Sequence, residues 1–343
     1  MGTKCFALKM HVVQILLRKR IVSCLLLLAS LLLAASPALM AQSTPSPVQP
    51  TANAGSGVTY RTMAVNGQTV FYREAGQEHP TTLLFLHGFP SSSRMWQPLL
   101  EELAIDYHVI APDYIGFGHS SQPPADQFAY TFENLTNNVD AFISQLGLSR
   151  LTLVVQDYGG PIGMRLAERH PDKIQALIIQ NAVSHQEGLS PLWETRKAFW
   201  AHKEQYYEAV KKNFVSFDAT RQRHLGTTPT PERIDPDTYT DEYRFLNQPG
   251  MAAIQLDLFY DYQTNVRAYP RWQAWLQKQQ PKLLVIWGKY DPSFTVAGAW
   301  KYKEDVPTAE VHVVAAGHFA LDEAHEEILV LMRQFLQRLA PLK

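Results

Sequence analysis

The segment "LTLVVQDYGGPIG", residues 151–163, runs an apolar, β-branched stretch straight into Asp157. Two more polar residues stand at the ends of apolar runs further on: Asp291 in "VIWGKYDPSF" and His318 in "AAGHFALDE". A buried carboxylate without partners costs several kcal/mol or shifts its pKa until it is neutral. Such positions therefore need either a solvating turn or a chemical purpose. Taken singly, Asp157 reads as the cap of a helix beginning near Gly159, and Asp291 as the start of a turn with Pro292. Neither explanation accounts for a histidine placed behind a strand and a glycine. Two carboxylates and an imidazole are the groups of covalent and general acid–base catalysis.

The elements that must hold these residues are legible in the pattern. "VTYRTMAVNGQTVFYREAG" alternates around Asn66-Gly67, a hairpin signal. "TTLLFLHG" and "HVIAPDYIG" are continuous apolar runs, separated by a helical spacing of Trp96, Leu99, Leu100 and Leu103. The rhythm continues with a helix over 132–146, a strand over 151–156, a helix over 160–169 and strands over 174–180 and 282–288. Strands apolar throughout and separated by amphipathic helices imply an α/β fold, a mostly parallel sheet covered on both faces. Residues 182–269 break the rhythm with long helical, aromatic-rich patterns. An insertion of that kind late in a parallel sheet reads as a helical cap over the carboxyl edge, where open α/β sheets bind ligands. The core is thus expected in two parts, 58–181 and 270–343.

The remaining sequence bounds the setting. With 343 residues, 46% of them hydrophobic and 18% charged, the chain can bury a large core. Residues 1–41 carry Lys4, Lys9, Arg18, Lys19 and Arg20, then "IVSCLLLLASLLLA", then small residues, the order of a secretory signal peptide. Its apolar run is short for a spanning helix, which needs ~20 residues. Residues 42–57 are rich in Pro, Ser, Gly and Ala and read as a disordered linker. Both cysteines, Cys5 and Cys24, fall in the leader, so the mature chain holds no thiol and is expected in the periplasm or secreted. Removing the five basic residues leaves 26 Lys and Arg against 32 Asp and Glu. That balance offers nothing to nucleic acid or to anionic lipid, and no membrane span remains after cleavage.

From Val58 onwards the chain resembles the α/β-hydrolases of the epoxide hydrolase and haloalkane dehalogenase group. The resemblance rests on "LHGFP", "DYIGFGHSS", "VVQDYGG", "WGKYDPSF" and "GHFALDE", in that order over almost the whole mature chain. It implies an α/β-hydrolase fold with Asp157 on the nucleophile elbow, Asp291 as the acid and His318 as the base. Val155 departs from the general pattern, where many members have glycine.

An aspartate nucleophile is already ionised and attacks an sp³ carbon, giving an alkyl ester that water, activated by His318, then hydrolyses. Asp291 would orient the imidazole and stabilise its charged form. By the same resemblance the backbone N–H groups of Phe89 and Tyr158 form the oxyanion hole. The reading calls for no cofactor and no metal ion, and for a small apolar organic substrate and water as partners. His87 and Asp113 are expected to shape loops, and Trp193, Phe199 and Trp200 to pack the cap.

What receives the leaving group separates two activities. Dehalogenases resembling this chain place tryptophan directly after the nucleophile, where this chain has Tyr158, or asparagine after the His-Gly pair, where it has Phe89. Epoxide opening needs an acid, which family members take from cap tyrosines, and by position Tyr260 in "QLDLFYDYQTNV" resembles one of them. Epoxide hydrolysis is therefore the expectation, haloalkane dehalogenation the alternative, and a non-catalytic binder of small ligands the reading of a different class.

Overall fold

At the exposed edge of the sheet, β1 (Thr59–Val65) and β2 (Gln68–Ala75) pair antiparallel across Asn66-Gly67. Both turn residues have positive φ, 50° and 77°, the backbone that lets a two-residue turn follow the strand twist. The computed structural model describes residues 57–339. The leader expected at 1–41 and all but the last residue of the linker expected at 42–57 lie outside the described residues.

The strands that follow are β3 (Thr82–Leu86), β4 (His108–Pro112), β5 (Leu151–Gln156), β6 (Ile174–Gln180), β7 (Lys282–Gly288) and β8 (Glu310–Val314). They form one sheet in the order β1-β2-β4-β3-β5-β6-β7-β8. β2 meets β4 antiparallel, and every pair from β4 to β8 is parallel. Helices fill the connections: α1 (Gln97–Leu103), α2 (Phe132–Gln145) and α3 (Gly159–Arg169) lie between successive strands from β3 to β6. Between β6 and β7 come α4 (Trp193–Ala201), α5 (Lys203–Phe214), α6 (Phe217–Leu225), α7 (Pro236–Leu246), α8 (Met251–Asp261) and α9 (Gln263–Gln279). α10 (Val296–Asp305) joins β7 to β8, and α11 (Leu321–Gln337) closes the described chain.

The apolar strands need covering on both faces because their alternate residues enter two different cores. Leu84, Leu86, Leu153, Val155, Leu177 and Ile179 pack with α2 and α3 on one side. Leu83, Phe85, Val154, Ile178, Leu284 and Ile286 pack with α1 and α11 on the other. Burial of each such side chain contributes about 1.5–3 kcal/mol. The helical pattern read as ending at 269 continues to Gln279, past Pro270. Tyr269, Trp272 and Leu276, spaced along one face, are all buried and carry the helix through the proline. Among the described residues no helix is long and apolar enough to cross a membrane.

The strand order also chooses where a ligand can bind. β3 has β4 on one side and β5 on the other, so the chain leaves its carboxyl end in one direction and leaves β5 in the other. The crevice at such a reversal lies outside the carboxyl ends of the strands. The loop after β3 carries His87, Gly88 and Phe89, and the turn after β5 carries Asp157.

Candidate active site

Asp157 sits between the end of β5 and the start of α3 with φ +47°, a left-handed conformation that costs a non-glycine residue free energy. The turn is held by close packing that excludes side chains. A Cβ on Gly159 would lie 2.0 Å from the Leu86 carbonyl oxygen, and one on Gly88 would lie 2.5 Å from the Asp157 Cβ. With those two positions bare, the loop after β3 approaches the carboxylate, and the Phe89 N–H donates to Asp157 Oδ1 at 2.8 Å. Burial pushes the Asp157 carboxyl up, opposed by His318 and by the backbone N–H groups of Phe89 and Tyr158.

Asp291 and His318 arrive from the ends of β7 and β8. His318 Nδ1 lies 2.7 Å from Asp291 Oδ2, and the Asn181 side-chain amide donates to the same oxygen at 2.8 Å. Asp291 Oδ1 accepts from the N–H groups of Ser293 at 2.7 Å and Phe294 at 3.0 Å. With its oxygens supplied by donors, the carboxylate can only accept from the imidazole. That assigns the proton of neutral His318 to Nδ1 and leaves Nε2 an acceptor, 3.1 Å from the Gln156 amide nitrogen and 3.8 Å from Asp157 Oδ2. Burial works against the His318 charge, but Asp291 and Asp157 outweigh it and raise its pKa above the ordinary 6.5.

The structure therefore brings Asp157, Asp291, His318, Phe89 and Tyr158 together. It does not bring Tyr260. That ring lies against Phe199 and under the Lys203 ammonium, 4.7 Å from its centroid. The preceding residue on α8, Phe259, lines the chamber beside Asp157, and a step of one residue turns a helix by 100°, so Tyr260 faces away. A cap tyrosine buried near the site is Tyr262, whose ring centroid is 5.8 Å from that of Tyr158. Trp193, expected as packing, also lines the chamber, while its indole N–H is committed to the Ser293 carbonyl at 3.0 Å.

His87 and Asp113 shape loops. His87 Nδ1 lies 2.9 Å from the Gly88 carbonyl oxygen, and its ring stacks on Tyr114 at 4.0 Å. Asp113 accepts the N–H groups of Ser93 and His119 at 2.7 and 2.8 Å.

Four residues at the site had no assigned part in the sequence reading. Gln156 Nε2 lies 3.1 Å from His318 Nε2 and donates to the His318 carbonyl at 3.3 Å. A glutamine closing an apolar strand was its only signal. Asn181, φ +41°, spans β6 and β7 by donating to Asp291 and accepting the Gly288 N–H at 2.9 Å. Arg196 on α4 and Arg223 on α6 line the same chamber. Nothing distinguishes these two from the other charges of their helices in the sequence. Among the described residues no group of three His, Cys, Asp or Glu is placed to hold a metal ion.

The Tyr158 hydroxyl is buried and has no hydrogen-bond partner among the described residues. Burial and the adjacent Asp157 charge raise its pKa well above 10, while Arg223 and Arg196 act in the opposite direction. A weakly acidic O–H is thus held within the field of one carboxylate and two cations.

Comparison with known proteins bears on the fold and the family. The profile of the alpha/beta hydrolase fold matches residues 81–325. An uncharacterized hydrolase of Saccharomyces cerevisiae is 36% identical over 262 residues, covering 75% of this chain and 89% of its own. Epoxide hydrolase 2 of Caenorhabditis elegans is 26% identical over 277 residues, covering 77% and 76%. The solved structure of haloalkane dehalogenase DatA from Agrobacterium tumefaciens C58 superposes with a TM-score of 0.68 at 25% identity, covering 83% of this chain and 98% of that one.

Proposed function

The chain belongs to the α/β-hydrolase fold family, among the hydrolases related to haloalkane dehalogenases and epoxide hydrolases, and from that premise we propose that it opens epoxides through an ester on Asp157. The observation that carries the reading is the buried, unpartnered hydroxyl of Tyr158, the residue that follows Asp157 and lines the same chamber. An epoxide oxygen leaves as an alkoxide and needs a proton, and a phenol adjacent to the nucleophile can supply it.

Asp157 Oδ2 attacks a ring carbon, the C–O bond breaks, and the oxygen takes the Tyr158 proton. Arg196 and Arg223 favour the phenolate that results. The ester keeps Oδ1 at the Phe89 N–H, placed to hold the negative charge that develops when water adds to the ester carbon. His318 Nε2 takes the water's proton, and Asp291 stabilises the imidazolium. Collapse releases the diol and restores the carboxylate, and the proton on His318 passes back to Tyr158. The sum is epoxide plus water giving diol.

Haloalkane dehalogenation is the second reading. It is favoured by the likeness to DatA and by the capacity of the Tyr158 O–H and the two guanidiniums to receive a halide. Intact mass of His318→Gln after exposure to styrene oxide and to 1-bromohexane tests both, because the variant retains attack and lacks the base. The epoxide reading expects a stable adduct of the whole epoxide mass. An alkyl adduct from the bromide alone would favour dehalogenation, and no adduct with either would overturn the ester route.

A further inference from the structure

Arg196 and Arg223 are shared by two adjoining cavities. The inner one, about 20 Å³, contains Asp157, Tyr158 and His318. The outer one, about 890 Å³, is enclosed largely by α4, α5 and α6. The two arginines line both, together with Phe214, Phe259 and Ser293. A molecule moving from the outer cavity towards Asp157 passes the guanidiniums.

Neither guanidinium has a carboxylate oxygen within 4 Å among the described residues. Arg196 donates to the Ser293 hydroxyl at 3.2 Å, and Arg223 donates one amino group to the Phe214 carbonyl. The other amino group of Arg223, Nη1, is buried with no hydrogen-bond partner among the described residues. The faces of both groups rest on aromatic rings: Arg196 is 4.4 Å from the Trp193 centroid, and Arg223 is 4.6 Å from Phe89 and 4.7 Å from Phe214. Stacking of this kind fixes the planes and leaves donor edges for a ligand. The carboxylates nearby are otherwise engaged. Asp157 is held by the Phe89 N–H, Asp291 by its four donors, and Glu194 at the outer rim by Lys197 at 2.8 Å.

Two cations in one partly apolar chamber repel each other, and burial lowers the pKa of both, that of Arg223 to about 10. An unfilled donor on a buried cation is costly to the fold, and an anion from outside would relieve it. Of the anions available to an enzyme that acts on a carbon electrophile, a carboxylate matches the planar fork of a guanidinium and can be carried by the substrate itself. Once Asp157 is esterified its charge is gone, so a substrate carboxylate stays paired through the hydrolytic step.

We propose that Arg196 and Arg223 form a carboxylate subsite, and that the preferred substrate is an organic acid whose apolar body, lying along Phe214 and Phe259, carries the electrophilic carbon to Asp157. This rests on the Asp157 reading for what happens at that carbon, and on the arginines alone for the acid.

Binding of phenylacetate and of phenylacetamide to the wild-type protein, by calorimetry, tests the subsite without turnover. Phenylacetate is expected to bind at least tenfold more tightly and to raise Tm, as a ligand specific for the folded state does. Arg223→Gln and Arg196→Gln are each expected to bring the ratio towards one, while Arg223→Lys retains part of it, and Lys203→Gln, outside the cavity, leaves it unchanged. Equal affinity for acid and amide in the wild type would overturn the subsite, as would an unchanged preference in a folded Arg→Gln variant. Bromide binding more tightly than phenylacetate would also overturn it, assigning the cations to a leaving halide. If the His318→Gln adduct fails to form while the acid preference holds, the ester mechanism fails and the subsite stands.

Discussion

His318 Nε2 lies 3.8 Å from Asp157 Oδ2, beyond hydrogen-bond reach, whereas its Nδ1 is bonded to Asp291 at 2.7 Å. A serine nucleophile would need the base to touch it and take its proton. A carboxylate does not, and in the proposed route the base serves the water of the second step. A single turnover in ¹⁸O-labelled water is therefore expected to give unlabelled diol and labelled Asp157, read by peptide mass. Label in the diol on the first turnover would mean that water attacks the substrate directly.

In the proposed route Asp291 and Asn181 act through His318. Asp291→Asn removes the acceptor that fixes the imidazole proton on Nδ1, and turnover is expected to fall by ~10²–10⁴-fold. Asn181→Ala removes one donor to Asp291 and is expected to slow ester hydrolysis more than ester formation. Rapid-quench measurement of the two steps checks this: equal slowing of both would point to general damage to the fold.

The tyrosines separate the two leaving groups. Tyr158→Phe is expected to depress epoxide opening by ~10²-fold or more, the scale of a positioned acid. Tyr260→Phe, facing Lys203, is expected to be nearly silent. Diol formation measured for both variants on one epoxide decides between them, and the reverse ranking would return the acid role to Tyr260.

The acid limb of ester hydrolysis follows His318. Its pKa is raised above 6.5 in the free protein, in part by the Asp157 charge that the ester removes, so the neutral base of the ester is lost at a lower pH than in the free protein. Arg223 works against the imidazolium, and Arg223→Gln is expected to move the limb to higher pH. Single-turnover hydrolysis of the preformed ester against pH checks the sign. A limb moved to lower pH would mean that Arg223 does not act on His318 through charge.

Cap helix α6 is fastened to the catalytic loop by a buried ion cluster. His224 lies 2.8 Å from Glu242 and 2.7 Å from Asp322 and stacks on Phe319, next in the chain to His318. Burial opposes its charge, yet the two carboxylates push its pKa up to about 10. The stabilisation is thus complete below pH 6.5 and lost as pH rises towards 10. Tm is expected to decline over that window in the wild type and to be lower and flatter in His224→Gln.

Much of this protein is written in its sequence. Largely apolar runs without polar alternation at 151–156, 174–180 and 282–288 dictate strands buried on both faces, because no solvated face is encoded in them. Polar residues at their ends are marked out by the cost of leaving them buried without work, which is how Asp157, Asp291 and His318 stand out among the other acids and histidines. Asn66-Gly67 specifies its turn by backbone sterics alone. The tertiary structure decided what depends on direction and on distant neighbours. Tyr260 and Phe259 are adjacent in sequence, but helical rotation and the docking of α8 turn only Phe259 to the chamber. Arg196 and Arg223 sit on different helices, and their charges look solvated until the packing of α4 and α6 half-buries them and withholds a carboxylate. Asn181 reaches Asp291 across 110 residues because β6 and β7 are sheet neighbours. Spacing along a chain encodes periodicity and strand ends, whereas the sharing of a buried chamber is a property of packing.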